Sequence, residues 1–159
     1  MTGPHLGVDG CRAGWVVVEK RAGRDPELLV MPRFEAVLER AGPTGIVAVD
    51  MPIGLPDRVG PGGRSAEVAV RKLLRGRQSS VFSIPARAAV YCEPGPFRTE
   101  EDRHAAHRRA SEVARALADP PRGIAIQAFG LFPKIREIDE LMTPALEAIV
   151  YETHPELAF

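Results

Sequence analysis

A chain of 159 residues with 45% hydrophobic content is long enough for one packed domain and short for two. Its 21 cationic and 21 anionic residues cancel, so no overall basic charge draws it to nucleic acid and any such contact must be local. No run approaches the roughly eighteen apolar residues of a membrane span, and "MTGPHLGVDG" lacks the basic-then-apolar order of a signal peptide, so a cytoplasmic protein with no membrane partner is expected. In chain order, "LGVD" reads as a first strand and, after the turn-like "GCRAG", "WVVVEK" reads as a second, forming a hairpin. "ELLVM" is a third strand. "RFEAVLERAG" is a helix with Phe34, Val37, Leu38 and Ala41 on one side, stopped by Gly42 and Pro43. "IVAVDMPIGLP" is a fourth strand that ends on Asp50 and breaks on Pro and Gly. "SAEVAVRKLLRG" is a second helix with Ser65 as its N-cap and Val68, Leu73 and Leu74 inside. "QSSVFSIPARAAVYC" reads as strand or loop. A Thr-capped, Ala-rich helix follows from Thr99 to Ala118, then another over "FPKIREIDELM", and "LEAIVYETHPELAF" closes the chain as a fifth strand.

Three locally joined strands followed by strands separated by helices make a mixed α/β plan, with a partly antiparallel sheet and parallel crossovers. No repeat, linker or composition shift marks a boundary, so residues 1–159 are expected to form a single domain.

Three strands carry an acid beside their end: Asp9 in "LGVDG", Asp50 in "IVAVDMP" and Glu152 in "AIVYETHP". If these strands lie parallel and adjacent, the acids meet at the carboxyl edge, where open α/β sheets bind ligands. Clustered carboxylates repel, and a shared proton or a divalent cation relieves them; all-oxygen ligands favour Mg²⁺ or Mn²⁺. The competing expectation for each acid taken singly is a turn cap made by its own side chain. His154, two residues beyond Glu152, would share its side of a strand and orient water, or else serve a His-Pro turn. Arg77, Arg87 and Lys134 are candidates for phosphate contacts, as is Arg12 in the first turn, with solvated surface charge as the alternative. Ser79 and Ser80 lack a GxSxG elbow. His104 and His107 read as part of a charged helix face, and Cys11 and Cys92 as reduced packing residues.

"GVDGCRAGW", "VDMPIGLP", "SSVFSIPAR", "QAFGLFPKIREID" and "YETHPELAF", in consistent order over almost the whole chain, resemble the DUF429 family, predicted nucleases of the ribonuclease H-like fold. The resemblance implies a three-stranded meander extended by two parallel strands, with Asp9, Asp50 and Glu152 holding two Mg²⁺ ions for phosphodiester hydrolysis. It also implies a fourth acid on a helix after the fifth strand, which the sequence does not reach before Phe159. From this follow the expectations of a domain truncated at its C-terminus, one ion bound, slow or absent hydrolysis, and an apolar area near Val150, Leu157 and Phe159 through which copies self-associate. Two other readings stand beside the nuclease. One is a nucleotide-binding module of the actin and sugar-kinase type, with "GVDGCRAG" cradling phosphates; the other is a catalytically silent binding or assembly subunit.

Overall fold

The computed structural model describes residues 3–74 and 76–158. Contacts within the chain divide it into two compact units, Met1–Ile53 with Glu137–Phe159, and Gly54–Arg136. Among the described residues, no helix is long and apolar enough to cross a membrane.

The first unit is built on one five-stranded sheet. Strands β1 (His5–Cys11), β2 (Gly14–Lys20) and β3 (Glu27–Met31) form an antiparallel meander. β4 (Ile46–Val49) and β5 (Val150–Glu152) add parallel to β1, giving the order β3-β2-β1-β4-β5. This is the mixed α/β sheet expected from the alternation of local and helix-separated strands. The β1–β2 turn requires glycine at position 14: φ is 133° there, and an added Cβ would sit 2.1 Å from the Met31 carbonyl oxygen on β3. β5 is much shorter than the stretch expected, because residues Leu146–Ala148 form a 3₁₀ turn before it and Pro155–Ala158 a helical turn (α6) after it.

Period-2 alternation assigns Leu6, Val8, Trp15, Val17, Val47, Val49 and Val150 to one sheet face, and all are buried. Helix α1 (Phe34–Ala41) turns Phe34, Val37 and Ala41 inward, and the Trp15 and Phe34 rings meet edge to face at 5.0 Å. Glu137, on helix α5 (Ile126–Leu141), fastens this corner. One carboxylate oxygen accepts the Trp15 indole N–H at 3.1 Å, and the other accepts the Phe34 backbone N–H at 2.6 Å, doing for α1 what the Arg33 side chain does not. At the far end of β2, Glu19 is held by Arg21 and Arg40.

The second unit contains α2 (Ser65–Leu73), α3 (Arg87–Tyr91), α4 (Glu100–Ala116) and the first part of α5. α4 begins as its sequence promises: Thr99 Oγ1 accepts from the Asp102 N–H at 3.0 Å while Asp102 accepts from the Thr99 N–H, a reciprocal box. Ala106, Ala110 and Ala114 form its buried stripe. α5 starts well before Phe132 and carries Pro133 inside it, packing Phe129 against Phe97 and Phe132. α2 differs from expectation in what it buries. Its N-cap is Arg64, not Ser65, Leu73 is 68% exposed, and the helical residue turned fully inward is Glu67. Glu67 accepts from Arg64 Nε at 2.8 Å and from the Ile84 N–H at 3.0 Å, so a buried carboxylate ties the helix to a distant loop. The stretch after α2 is neither strand nor plain loop: Gln78–Ser80 is a 3₁₀ turn, and α3 starts at Arg87.

Candidate active site at the ends of the parallel strands

β1 and β4 run in parallel register up to Val8 and Val49, and the Asp50 N–H donates to the Val8 carbonyl at 2.9 Å. Asp9 and Asp50 are therefore the next register neighbours, and alternation turns both to the sheet face opposite Val8 and Val49. Asp9 is exposed and Asp50 half-buried. Neither carboxylate accepts a hydrogen bond or meets a cation at ion-pair distance among the described residues, so neither acts as a turn cap. Burial pushes the Asp50 carboxyl above its ordinary value, and the Asp9 carboxylate pushes it further; His154 pulls it back, while Glu152 adds a smaller upward push. The other three residues singled out at the strand ends thus all act on the Asp50 carboxyl.

Glu152 is placed differently from the two aspartates. It pairs in register with Val49, not Asp50, so it stands one step back along the sheet and out of phase with the pair. Its carboxylate accepts the Ile53 N–H at 2.9 Å, closing the chain's exit from β4. His154 Nδ1 accepts the Glu156 N–H at 3.3 Å, which assigns the ring proton of the neutral form to Nε2. Among the described residues, no group of three or more His, Cys, Asp or Glu side chains is arranged to hold a metal ion.

The sheet face carrying Asp9 and Asp50 is open. Val18, Leu28, Val30, Ile46 and Tyr151 lie on it by register and are 42% exposed or more, with Gly7 and Ala48 between them. The apolar surface foreseen near the C-terminus is found here instead, because Val150 points to the covered face and is buried at 4% exposure. Leu157 is exposed as expected, and Phe159 lies outside the described residues.

Of the basic candidates, Arg12 is exposed in the turn that directly follows β1, three residues from Asp9. Arg77, Arg87 and Lys134 all belong to the second unit. Ser80 Oγ donates to the Arg77 carbonyl at 2.8 Å, so it is engaged in its own turn. His107 stacks edge-on against Phe129 at 5.4 Å, with Nε2 2.7 Å from the Ile124 carbonyl, and His104 is exposed; the pair is a helix face and not a ligand set. Sequence reasoning missed the Glu67 cluster entirely. The one local signal available was an acid among arginines, "RSAEVAVRK", which reads equally as a solvated face.

The sheet is a mixed five-stranded one of the α/β class, and at the ends of its adjacent parallel strands Asp9 and Asp50 have no ion-pair or hydrogen-bond partner among the described residues. Residues 7–159 match the family described as "Protein of unknown function (DUF429)", and the chain belongs to that family. No curated protein and no solved structure matches it.

Proposed function

We propose that this chain is a ribonuclease H-like, divalent-metal-dependent phosphodiesterase, a nuclease whose ion-binding pair is Asp9 and Asp50. What supports the reading most is that pair: two carboxylates brought into register on adjacent parallel strands with no hydrogen-bond donor or ion-pair cation among the described residues to satisfy them. Proteins avoid such juxtaposition unless it is used. The donor set fits Mg²⁺ or Mn²⁺, since these ions accept all-oxygen coordination and Mg²⁺ commonly takes one or two carboxylates, with water and substrate phosphate completing the shell. The strand order, with β2 antiparallel and β4 and β5 parallel to β1, is the one expected of a ribonuclease H-like sheet.

Such an ion, when bound, supplies Lewis acidity and an acidified water for attack on a phosphodiester. The residues of the chain provide placement. Asp50, half-buried and fixed by the ladder bond of its own N–H to Val8, is the rigid partner; Asp9, exposed, is the one a substrate reaches. Glu152 holds the backbone of Ile53 so that the chain leaves β4 without covering the pair, and it contributes charge at longer range. His154 presents Nε2–H as a donor to water or a phosphate oxygen, and Arg12 offers a cation at the same strand end.

Calorimetry with Mn²⁺ tests the pair: Asp50→Asn is expected to weaken binding more than tenfold, about 1.4 kcal/mol or more. Wild-type affinity in that variant would sink the proposal. Mn²⁺-dependent cleavage of mixed nucleic acid substrates should be lost in both Asp9→Asn and Asp50→Asn. One observation favours a catalytically silent binding subunit instead, namely that the Glu152 carboxylate accepts the Ile53 N–H and, among the described residues, no third ligand joins the aspartates. Mn²⁺ binding with no cleavage of any substrate would select that reading, and ATP binding without cleavage would select the actin and sugar-kinase type.

A further inference from the structure

The second unit carries an open cleft of about 510 Å³, lined by residues from four separate stretches: Gly62, the α2 positions Val68, Arg71 and Lys72, the turn from Gln78 to Ser83, and Arg122 ahead of α5. Among the described residues, no carboxylate lines it. Lys72 and Arg122 are exposed and have no ion-pair or hydrogen-bond partner among the described residues, and the side chains of Gln78 and Ser79 are likewise unengaged. Their convergence is not the i,i+4 spacing of one helix surface. It comes from the fold bringing residue 122 to residue 72.

The cleft also has a fixed positive wall. Arg71 donates from one terminal nitrogen to the Gly62 carbonyl, and from the other to the Val81 carbonyl at 2.9 Å and Ser83 Oγ at 2.8 Å. Buried Glu67 stands 3.6 Å behind it, sharing its charge between Arg71 and Arg64. Glu67 thus faces both Arg71 and Arg64, and the rim adds Lys72 and Arg122, which have no acidic partner among the described residues. Glu67 can sit there because Gly63 leaves room: with φ at 104°, a Cβ at that position would lie 2.2 Å from the Glu67 carboxylate.

We infer that this cleft is an anion site that binds the phosphate groups of a ligand, with Lys72 and Arg122 as charge partners and Ser79 and Gln78 as hydrogen-bond donors. An excess of uncompensated guanidinium and ammonium groups around hydroxyl and amide donors is the chemistry that recognises phosphate. The volume falls within the range of small-molecule sites, so it admits a group of nucleotide size and not only a single phosphate. The phosphate has two sources, a free phosphorylated compound or the backbone of a nucleic acid strand. The site is separate in its residues from the Asp9–Asp50 pair and does not depend on the metal reading.

The test is titration of the full chain with inorganic pyrophosphate in buffer containing EDTA, followed by amide chemical shifts and calorimetry. Saturable binding is expected, with shifts at Gln78 and Ser79, weakened at least tenfold in Lys72→Ala/Arg122→Ala. Both substituted residues are exposed, and an unchanged thermal unfolding curve confirms that the variant is folded. Asp50→Asn should bind pyrophosphate as wild type does, even if its Mn²⁺ binding proves normal and the nuclease reading falls. A short single-stranded oligonucleotide that competes with pyrophosphate identifies a nucleic acid strand as the source; a nucleoside diphosphate that competes when the oligonucleotide does not identifies a free compound. No saturable binding by the wild type, or equal affinity in the double variant, overturns the inference.

Discussion

Replacing Asp9 by Asn removes one charge from the pair and should make the metal-free protein more stable. Adjacent strands lie about 4.8 Å apart, which sets the scale of separation for carboxylates on register neighbours. At roughly 5 Å two unit charges repel by about 0.8 kcal/mol under water-like screening and about 3 kcal/mol at an effective dielectric near 20. Asp9 is exposed and Asp50 only half-buried, so the lower figure governs and a gain of about 1 kcal/mol at neutral pH is expected for Asp9→Asn. The pH dependence has a definite sign. Asp50 has a folded-state pKa raised above its ordinary 3.8, first by burial and then by Asp9. Its contribution to stability is full below 3.8 and is lost as pH rises through the folded value, because there the native state binds the proton that the unfolded state has released. Urea unfolding of the metal-free chain from pH 3 to 8 would read both effects, with carboxyl titration by NMR reporting Asp50 directly. In Asp9→Asn the Asp50 titration should move down toward its ordinary value. If the variant instead loses stability, or Asp50 titrates as before, the two side chains do not face one another and the proposed ion site is gone.

Glu19 should show the opposite sign. Burial would raise its pKa, but hydrogen bonds and charge from Arg40 and Arg21 outweigh burial and hold the carboxyl below its ordinary 4.5, so its stabilisation is present above 4.5 and lost as pH falls through the folded value. Glu19→Gln should therefore lower stability at pH 7 and flatten the acid limb of the urea series; an unchanged acid limb would refute the role of the arginines. Glu152→Gln keeps an oxygen acceptor for the Ile53 N–H, whereas Glu152→Ala removes it, so the alanine variant alone should lose about 0.5–1.5 kcal/mol in the same assay. Equal loss in both variants would show that charge, not the backbone contact, is what Glu152 contributes.

How much of this was readable in the sequence depends on how local each cause is. The β1–β2 hairpin, α1 and the start of α4 follow from patterns contained within a few residues: alternation into Trp15 and Val17, Phe34 with Val37 and Ala41, and the Thr99–Asp102 box. The inward face of α2 is not legible locally, because its buried member is an acid whose partners, Arg64 and the Ile84 N–H, include one seventeen residues away. The start of α5 is hidden because Pro favours the first helical turn, while here the packing of Phe129, Phe132 and Ile135 on both sides of Pro133 carries the helix through it.

The site shows the same division more sharply. That Asp9 and Asp50 end strands is visible in "LGVDG" and "AVDMP", and parallel pairing of those strands is enough to bring the two acids side by side. Glu152 ends a strand just as visibly, yet strand ends do not specify register. A shift of one residue reverses which face a side chain takes, and the pairing of Glu152 with Val49 puts it out of phase with the aspartates. Its carboxylate instead accepts the Ile53 N–H at the break after β4. An acid at the end of a parallel strand is therefore a ligand candidate only once two conditions are met: its register matches that of its neighbours, and no backbone donor has already taken its oxygens. Asp9 and Asp50 meet both, and Glu152 meets neither.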